Sequence, residues 1–403
     1  MTQPVSGVRC QVSGESQTGR RARLLGSSSP TPDTRHPTPR RGVTLIELLV
    51  VMLIISILAA LVLGVAAIAA ETAKEAGTRH TVQRLHQLLT EYYGTFKTRR
   101  VRLRPDIGNQ LGIESQIKKQ FANDPQGGIH QGQALAEARL YALREMMLME
   151  VPDRWSDVIL VPIEQFVPNT PVPPLYLEGR TELSNVYYRR FVQLFNGTNT
   201  LTGKSNTAEE LRANQGAECL YMVITTACGD GEARTLFGEH SIADTDGDGA
   251  PEFVDGWGHP VEFLRWAPGF DSQIQVNANA LGNRLPNTNN TDWARAATGD
   301  HDSFDIFRTD LYAYRLVPLI MSGGRDESIG IDMAPAYVPW RLKQSQTITL
   351  SNSGPPYIQN YPLLPYAPYD SNPHYLGASL HVEDNSIDET SSDNIHNHLL
   401  GLR

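Results

Sequence analysis

From Val43 to Ala70 the chain is apolar on every face of a helix, and Glu47 is the one charged residue in that stretch. These 28 residues exceed the about 20 needed to cross a hydrocarbon layer of about 30 Å, so the pattern predicts one spanning helix over 43–70. A cleaved secretory signal has a shorter apolar core followed by a small-residue cleavage site. Here the apolar run instead passes into Val82, Leu85, Leu89, Tyr92 and Phe96, whose spacing by three and four makes one apolar stripe. The extramembrane continuation is predicted over 71–97, and a helix spanning 43–97 would reach about 80 Å at about 1.5 Å per residue. Its stripe has to be covered, and the chain from 98 to 403 is the nearest cover.

Beyond Lys97 the pattern mixes helical and extended signals. A helix is predicted from Gln133 to Glu150, with Leu140, Leu143 and Met147 on one face and the Met146, Met147 and Met149 cluster as core filling. A second is predicted from Thr207 towards Thr226, because Thr207 and Glu210 have capping-box spacing and Gly229 stops it. Extended segments fall at Val261–Trp266, Tyr312–Met321 and Thr347–Leu350, as one small antiparallel sheet. The Pro- and Tyr-rich stretch Tyr357–Tyr375 reads as a loop. The predicted class is α+β.

Charge divides the chain at the start of the apolar helix. Residues 1–42 hold seven Arg, two acidic residues and many Ser, Thr, Pro and Gly, the composition of a disordered, disposable leader. Without them 28 basic and 42 acidic residues remain, a net charge of −14, which repels phosphate backbones and argues against a nucleic-acid partner. Arg40 and Arg41 flank the apolar helix on its N-terminal side. By the positive-inside tendency that end is cytoplasmic and everything after Ala70 lies across the membrane, as in a single-pass protein. Cys219 and Cys228 allow either a disulfide in an oxidising compartment or two free buried thiols.

Glu47 needs a partner, because an ionised carboxylate in an apolar segment costs about 2.5–3.5 kcal/mol on insertion scales. The run Arg41-Gly42-Val43-Thr44-Leu45-Ile46-Glu47-Leu48-Leu49-Val50-Val51 resembles the class III signal of type IV pilins and type II secretion pseudopilins. The resemblance implies that a prepilin peptidase cuts after Gly42, that Val43 becomes a methylated N-terminus, and that Glu47 pairs with the amine of a neighbouring pilin subunit. It also implies a pilin-like fold, a long transmembrane helix packed on a globular domain. The physical chemistry agrees, since a buried amine and a buried carboxylate relieve each other's desolvation. Val43 stands where the family usually has Phe, Gly64 where many members bend the helix with Pro, and the leader is long. The expected function is a structural subunit, a minor pilin or pseudopilin; a displayed adhesion module on the same anchor is the alternative. An enzyme is not expected, since the chain has no His-Glu-x-x-His, Gly-x-Ser-x-Gly or Cys-x-x-Cys.

One further pattern carries chemistry. Residues 244–255 fit a twelve-residue calcium loop: Asp244, Asp246 and Asp248 alternate, Gly249 permits the turn, Ala250 offers a carbonyl, Glu252 follows and Asp255 closes the shell. Oxygen ligands suit a hard cation, so a structural Ca2+ is expected. The next residues, Val254 to Phe263, resemble the Asp-Pro-Trp-Gly-Asn-Pro stretch of major type II pseudopilins, with Gly256 and His259 departing from it. Gly197 to Ser205 has one residue too many between its glycines for a phosphate loop and reads as a polar loop before the Thr207 cap. His396 and His398 lack further ligands and read as surface groups.

Overall fold

The computed structural model describes residues 42–228, 233–270, 272–275, 299–310, 313–333, 348–351, 354–358, 376–377 and 393–399. Residues 1–41 of the leader, Gly229, Tyr312, Thr347 and residues 359–375 of the Pro-rich stretch lie outside them. The chain divides into two units, one up to Leu63 and one from Gly64 onward. The described part of the first is almost wholly helix. Helix α1 (Leu45–Thr95) begins there, and its large apolar residues, Leu45 to Leu63, are all exposed. A helix this long and apolar meets the requirement for crossing a membrane, where exposed hydrocarbon is the soluble face.

In the second unit α1 becomes amphipathic. Thr78, Val82, Leu85, Leu89 and Tyr93 are buried, and Phe96 follows in the short 3-10 turn that ends the helix. The stripe is the predicted one with one exchange. Tyr93 enters the core, while Tyr92 is half-buried and donates its hydroxyl to Glu150 at 2.8 Å. α1 runs unbroken through Gly64.

The core against that stripe is mainly helical: α2 (Ile113–Gln120), α3 (Gly127–Glu150), α4 (Trp155–Ile159), α5 (Glu182–Phe195), α6 (Glu210–Ala213), α7 (Gln215–Ala227) and α8 (Ala233–Leu236). α3 starts six residues before the predicted Gln133. From Leu140 to Glu150 every residue is buried, so the predicted face is only part of its contact. Arg144 within that stretch pairs with Asp302 and Asp310, each at 3.1 Å. The hydrophobic pattern assigned no helix to α5, although Thr181 caps it by accepting the Ser184 N–H at 3.2 Å and Tyr187, Tyr188, Phe191 and Leu194 line its buried face.

The predicted 207–226 helix is two helices. Its capping box forms, with Thr207 N–H donating to Glu210 at 2.7 Å and Glu210 N–H to the Thr207 hydroxyl at 3.2 Å. The chain then breaks at Asn214, whose side-chain amide donates to Thr245 Oγ1 at 2.9 Å. α7 restarts against the sheet, and Gly216 permits that approach, since a Cβ there would lie 2.6 Å from Glu262 Oε2 and 2.9 Å from the Phe263 carbonyl.

Among the described residues five short strands form two antiparallel sheets: β1 (Ile242–Ala243) with β2 (Glu252–Phe253), and β3 (Glu262–Leu264), β4 (Leu319–Ser322) and β5 (Ile395–His396) in that order. Glu262 pairs with Met321 and Leu264 with Leu319. Alternation then sends Phe263 and Ile320 to the main core, and Leu264, Leu319 and Met321 to a second, smaller cluster. The third strand of this sheet is β5, while of the expected 347–350 segment the described residues 348–350 form no strand of it and Leu350 makes an isolated bridge to Ile358. Asn397 continues the pairing where β5 ends, accepting the Ile320 N–H at 2.9 Å and donating to the Pro318 carbonyl at 2.8 Å. The whole is α+β.

Candidate functional site

The acidic loop is the connection of the β1–β2 hairpin. Ala243 pairs with Glu252, so the antiparallel return carries Glu252 back beside the point where Asp244 enters the loop. The tight path takes Gly247 to φ 77° and Gly249 to φ 99°, a region open to glycine. The acids then order their own backbone. Asp244 accepts the N–H of Gly247 at 2.8 Å and of Gly249 at 3.2 Å, Asp246 that of Asp248 at 3.3 Å, and Asp248 that of buried Ala250 at 2.7 Å. Glu252 accepts the Thr245 N–H at 3.0 Å. A second loop holds the outward carbonyls: Asn199 donates to Asp246 at 3.0 Å, Thr200 N–H to Gly247 at 2.6 Å, and Asn206 to Asp248 at 2.8 Å. This is the Gly197–Ser205 segment and its neighbour, a polar loop that supports the acidic one.

After those bonds several oxygens have no partner. Asp246 Oδ2, Asp248 Oδ2 and Glu252 Oε1 are buried and unsatisfied, and so is Glu218 Oε1 of α7. Carboxylate oxygens of Asp244, Asp246 and Glu252 lie within 4.8 Å of one another, and so do those of Glu218, Asp246 and Asp248. Among the described residues none of the five acids is in an ion pair. Burial first, and the neighbouring acids second, push Asp248 up to about 7 and Glu252 to about 8; Asp246 is raised, and Glu218 is held well above the carboxylate range. Buried like charges without compensation are costly, so the arrangement demands either bound protons or a cation. Oxygen-only donors suit a hard divalent ion. The donor set and its orphaned oxygens fit Ca2+.

Asp255 is in neither trio. It lies past β2, where its Oδ1 accepts the N–H groups of Trp257, Gly258 and His259 at 2.8, 2.9 and 3.0 Å and its Oδ2 accepts the Ser322 hydroxyl at 2.7 Å. The expected twelfth ligand is thus the organiser of a separate turn. That turn docks on α1: Gly256 N–H donates to Thr78 Oγ1 and Trp257 Nε1–H to Glu71, both at 2.9 Å. A side chain at 256 would strike the Lys74 backbone, 2.7 Å from its carbonyl oxygen.

At the other end of the chain Gly42, Val43 and Thr44 are exposed and precede α1. Glu47 accepts the Thr44 N–H at 2.9 Å and its hydroxyl at 3.1 Å, while Thr44 Oγ1 accepts the Glu47 N–H at 3.3 Å. This is a capping box, readable from the Thr-x-x-Glu spacing. Residues 38–63 match the family model of the prokaryotic N-terminal methylation motif. The chain carries the type IV pilin and pseudopilin signal. No curated protein and no solved structure matches the chain.

The pilin-type signal is that of a structural family, not an enzymatic one, and it implies processing by a prepilin peptidase and assembly with other pilins. The apolar half of α1 fits a single-pass anchor for such a precursor. Elsewhere in the chain, Cys219 and Cys228 are free and buried. His396 is partly buried and His398 fully so, both pushed down to about 4 by burial, and His398 Nδ1 lies 3.0 Å from Ser272 Oγ. Among the described residues neither histidine joins a metal-binding group. Glu218 is the residue the sequence did not reveal: it belongs to no motif, and only the packing of α7 on β2 brings it to the loop.

Proposed function

We propose that the mature chain begins at Val43 and serves as a membrane-anchored structural subunit of a pilin-like filament, as a minor pilin or type II secretion pseudopilin. The methylation motif at 38–63, placed on a helix that is apolar on all sides and then amphipathic, carries this reading. The peptidase removes residues 1–42, the N-terminus faces the cytoplasm, and the domain stands on the far side of the inner membrane. Glu47 then exchanges its Thr44 cap for the amine of a neighbouring subunit, since a buried pair of opposite charges is favoured over either alone. In the same reading the acidic loop holds a structural Ca2+ that keeps the domain folded for assembly.

The test is N-terminal mass spectrometry of the native protein combined with shearing of surface filaments. A mature end at Val43 and recovery in the sheared fraction are expected; Glu47→Ala should still insert in the membrane but fall out of that fraction. An intact leader overturns the processing step. A processed chain that stays wholly in the membrane fraction, with no loss on Glu47→Ala, points to a displayed adhesion module instead.

A further inference from the structure

Glu218 stands outside the acidic loop, on the first turn of α7, yet it is 1% exposed and one of its oxygens is turned into the loop's carboxylates. Its Oε2 accepts the indole N–H of Trp155, itself fully buried, and its Oε1 has no protein partner. The buried Glu145 differs: both of its oxygens accept backbone N–H groups at 2.6–3.0 Å. Asp157 also keeps one unpartnered oxygen, but its other oxygen is ion-paired to Arg265 at 2.8 Å; Glu218 has no ion pair among the described residues and stands beside Asp246 and Asp248, so a cation from outside the chain would complete it.

We propose that Glu218 is a ligand of the calcium ion held by the acidic loop, so that the cation fastens the β1–β2 hairpin to α7; this rests on the reading of the loop as a calcium site. The distances suit it. Oxygens about 2.3–2.6 Å from a common Ca2+ lie at most about 5 Å apart, and the Glu218, Asp246 and Asp248 oxygens fall within 4.8 Å of one another. Asp246 belongs to both trios, so it is the hinge of the shell, with Asp244 and Glu252 on one side and Asp248 and Glu218 on the other. Glu218 supplies from a helix the closing carboxylate that the linear motif assigns to Asp255, whose oxygens serve the 255–259 turn instead. The ion then bridges the hairpin and α7, adding to their direct packing.

The test uses the full chain in detergent micelles, stripped with a chelator and titrated with Ca2+ alone by calorimetry. Glu218→Gln keeps an acceptor for Trp155 but removes the charge, and should weaken calcium binding by at least about tenfold, whereas Asp255→Asn should leave it within about twofold. Tb3+ gives a second readout: excitation of Trp155, in contact with Glu218, should sensitise emission that Ca2+ displaces and that Trp155→Phe removes. Wild-type affinity in Glu218→Gln overturns this inference and leaves the loop site standing; no binding by the wild-type chain overturns both. If Glu218→Gln fails to fold by circular dichroism, the terbium signal decides: a calcium-binding wild type without Trp155-dependent emission overturns the assignment.

Discussion

Glu145 on α3 and Glu252 on β2 are both fully buried, but their surroundings differ in kind. Glu145 faces a bare stretch of backbone at 175–177 and accepts three N–H groups from it. That stretch is paired on its other side with residues 102–104, where Arg104 N–H donates to the Tyr176 carbonyl and Leu103 bridges Leu177. Glu252 accepts one N–H, keeps its other oxygen without a partner and lies among more acids. Two buried glutamates thus do opposite work. One replaces a missing strand partner, and the other adds to a deficit of positive charge that the chain does not itself correct.

The largest test of this contrast is Glu145→Ala. Three buried N–H groups would lose their acceptor at about 1–3 kcal/mol each, so unfolding of the domain should become easier by at least about 3 kcal/mol, with no dependence on added calcium. Chemical denaturation with and without Ca2+ measures it. A loss below about 1 kcal/mol would show that water or the neighbouring strand replaces the carboxylate.

Much of this division was legible in the sequence, for reasons tied to particular residues. The anchor was legible because hydropathy is a property of single positions, and no packing is needed to see 43–70. The acidic loop was legible because alternating aspartates with a glycine are a local geometry. What was lost depends on distant contacts. Glu218 becomes relevant only when α7 packs on β2, and the break at Asn214 arises because its amide reaches Thr245. The bonds of Asp255 were not legible because the template counts residues, while the antiparallel return at Glu252 closes the hairpin and leaves Asp255 to the next turn, where its oxygens accept three N–H groups and the Ser322 hydroxyl. β5 has two residues, too few for periodicity to register.

A third buried acid sits between the two extremes and sharpens the contrast through pH. Glu137 accepts N–H groups from Tyr357 at 3.0 Å and Ile358 at 3.3 Å, yet burial pushes its carboxyl from 4.5 up to about 7. Above pH 4.5 the unfolded chain has released a proton that the folded chain keeps. Its contribution to stability is therefore fully present below about 4.5 and is lost as pH rises to about 7, by about 3 kcal/mol at most. Glu137→Gln should remove that slope, so that wild type and variant converge at low pH and the variant is the more stable at pH 8. Parallel slopes in the two proteins would mean that the backbone N–H groups keep Glu137 ionised in the folded chain.

The acidic loop should respond to charge removal in the sense opposite to Glu145. Asp246→Asn/Asp248→Asn preserves the acceptors that order Asp248 and Ala250 N–H but removes two negative charges from an uncompensated cluster. Without calcium the double variant should be at least as stable as wild type, because the repulsion among five acids is relieved. With free Ca2+ at about 100 times the dissociation constant, wild type should gain about 2.7 kcal/mol and the variant nothing, so the order of melting temperatures reverses between chelator and calcium. Asp255→Asn should lower both wild-type curves and leave the calcium shift intact, since its oxygens serve the turn. If wild type shows no shift, the unsatisfied oxygens of the loop are held by protons, and Glu252 differs from Glu145 only in having fewer backbone partners.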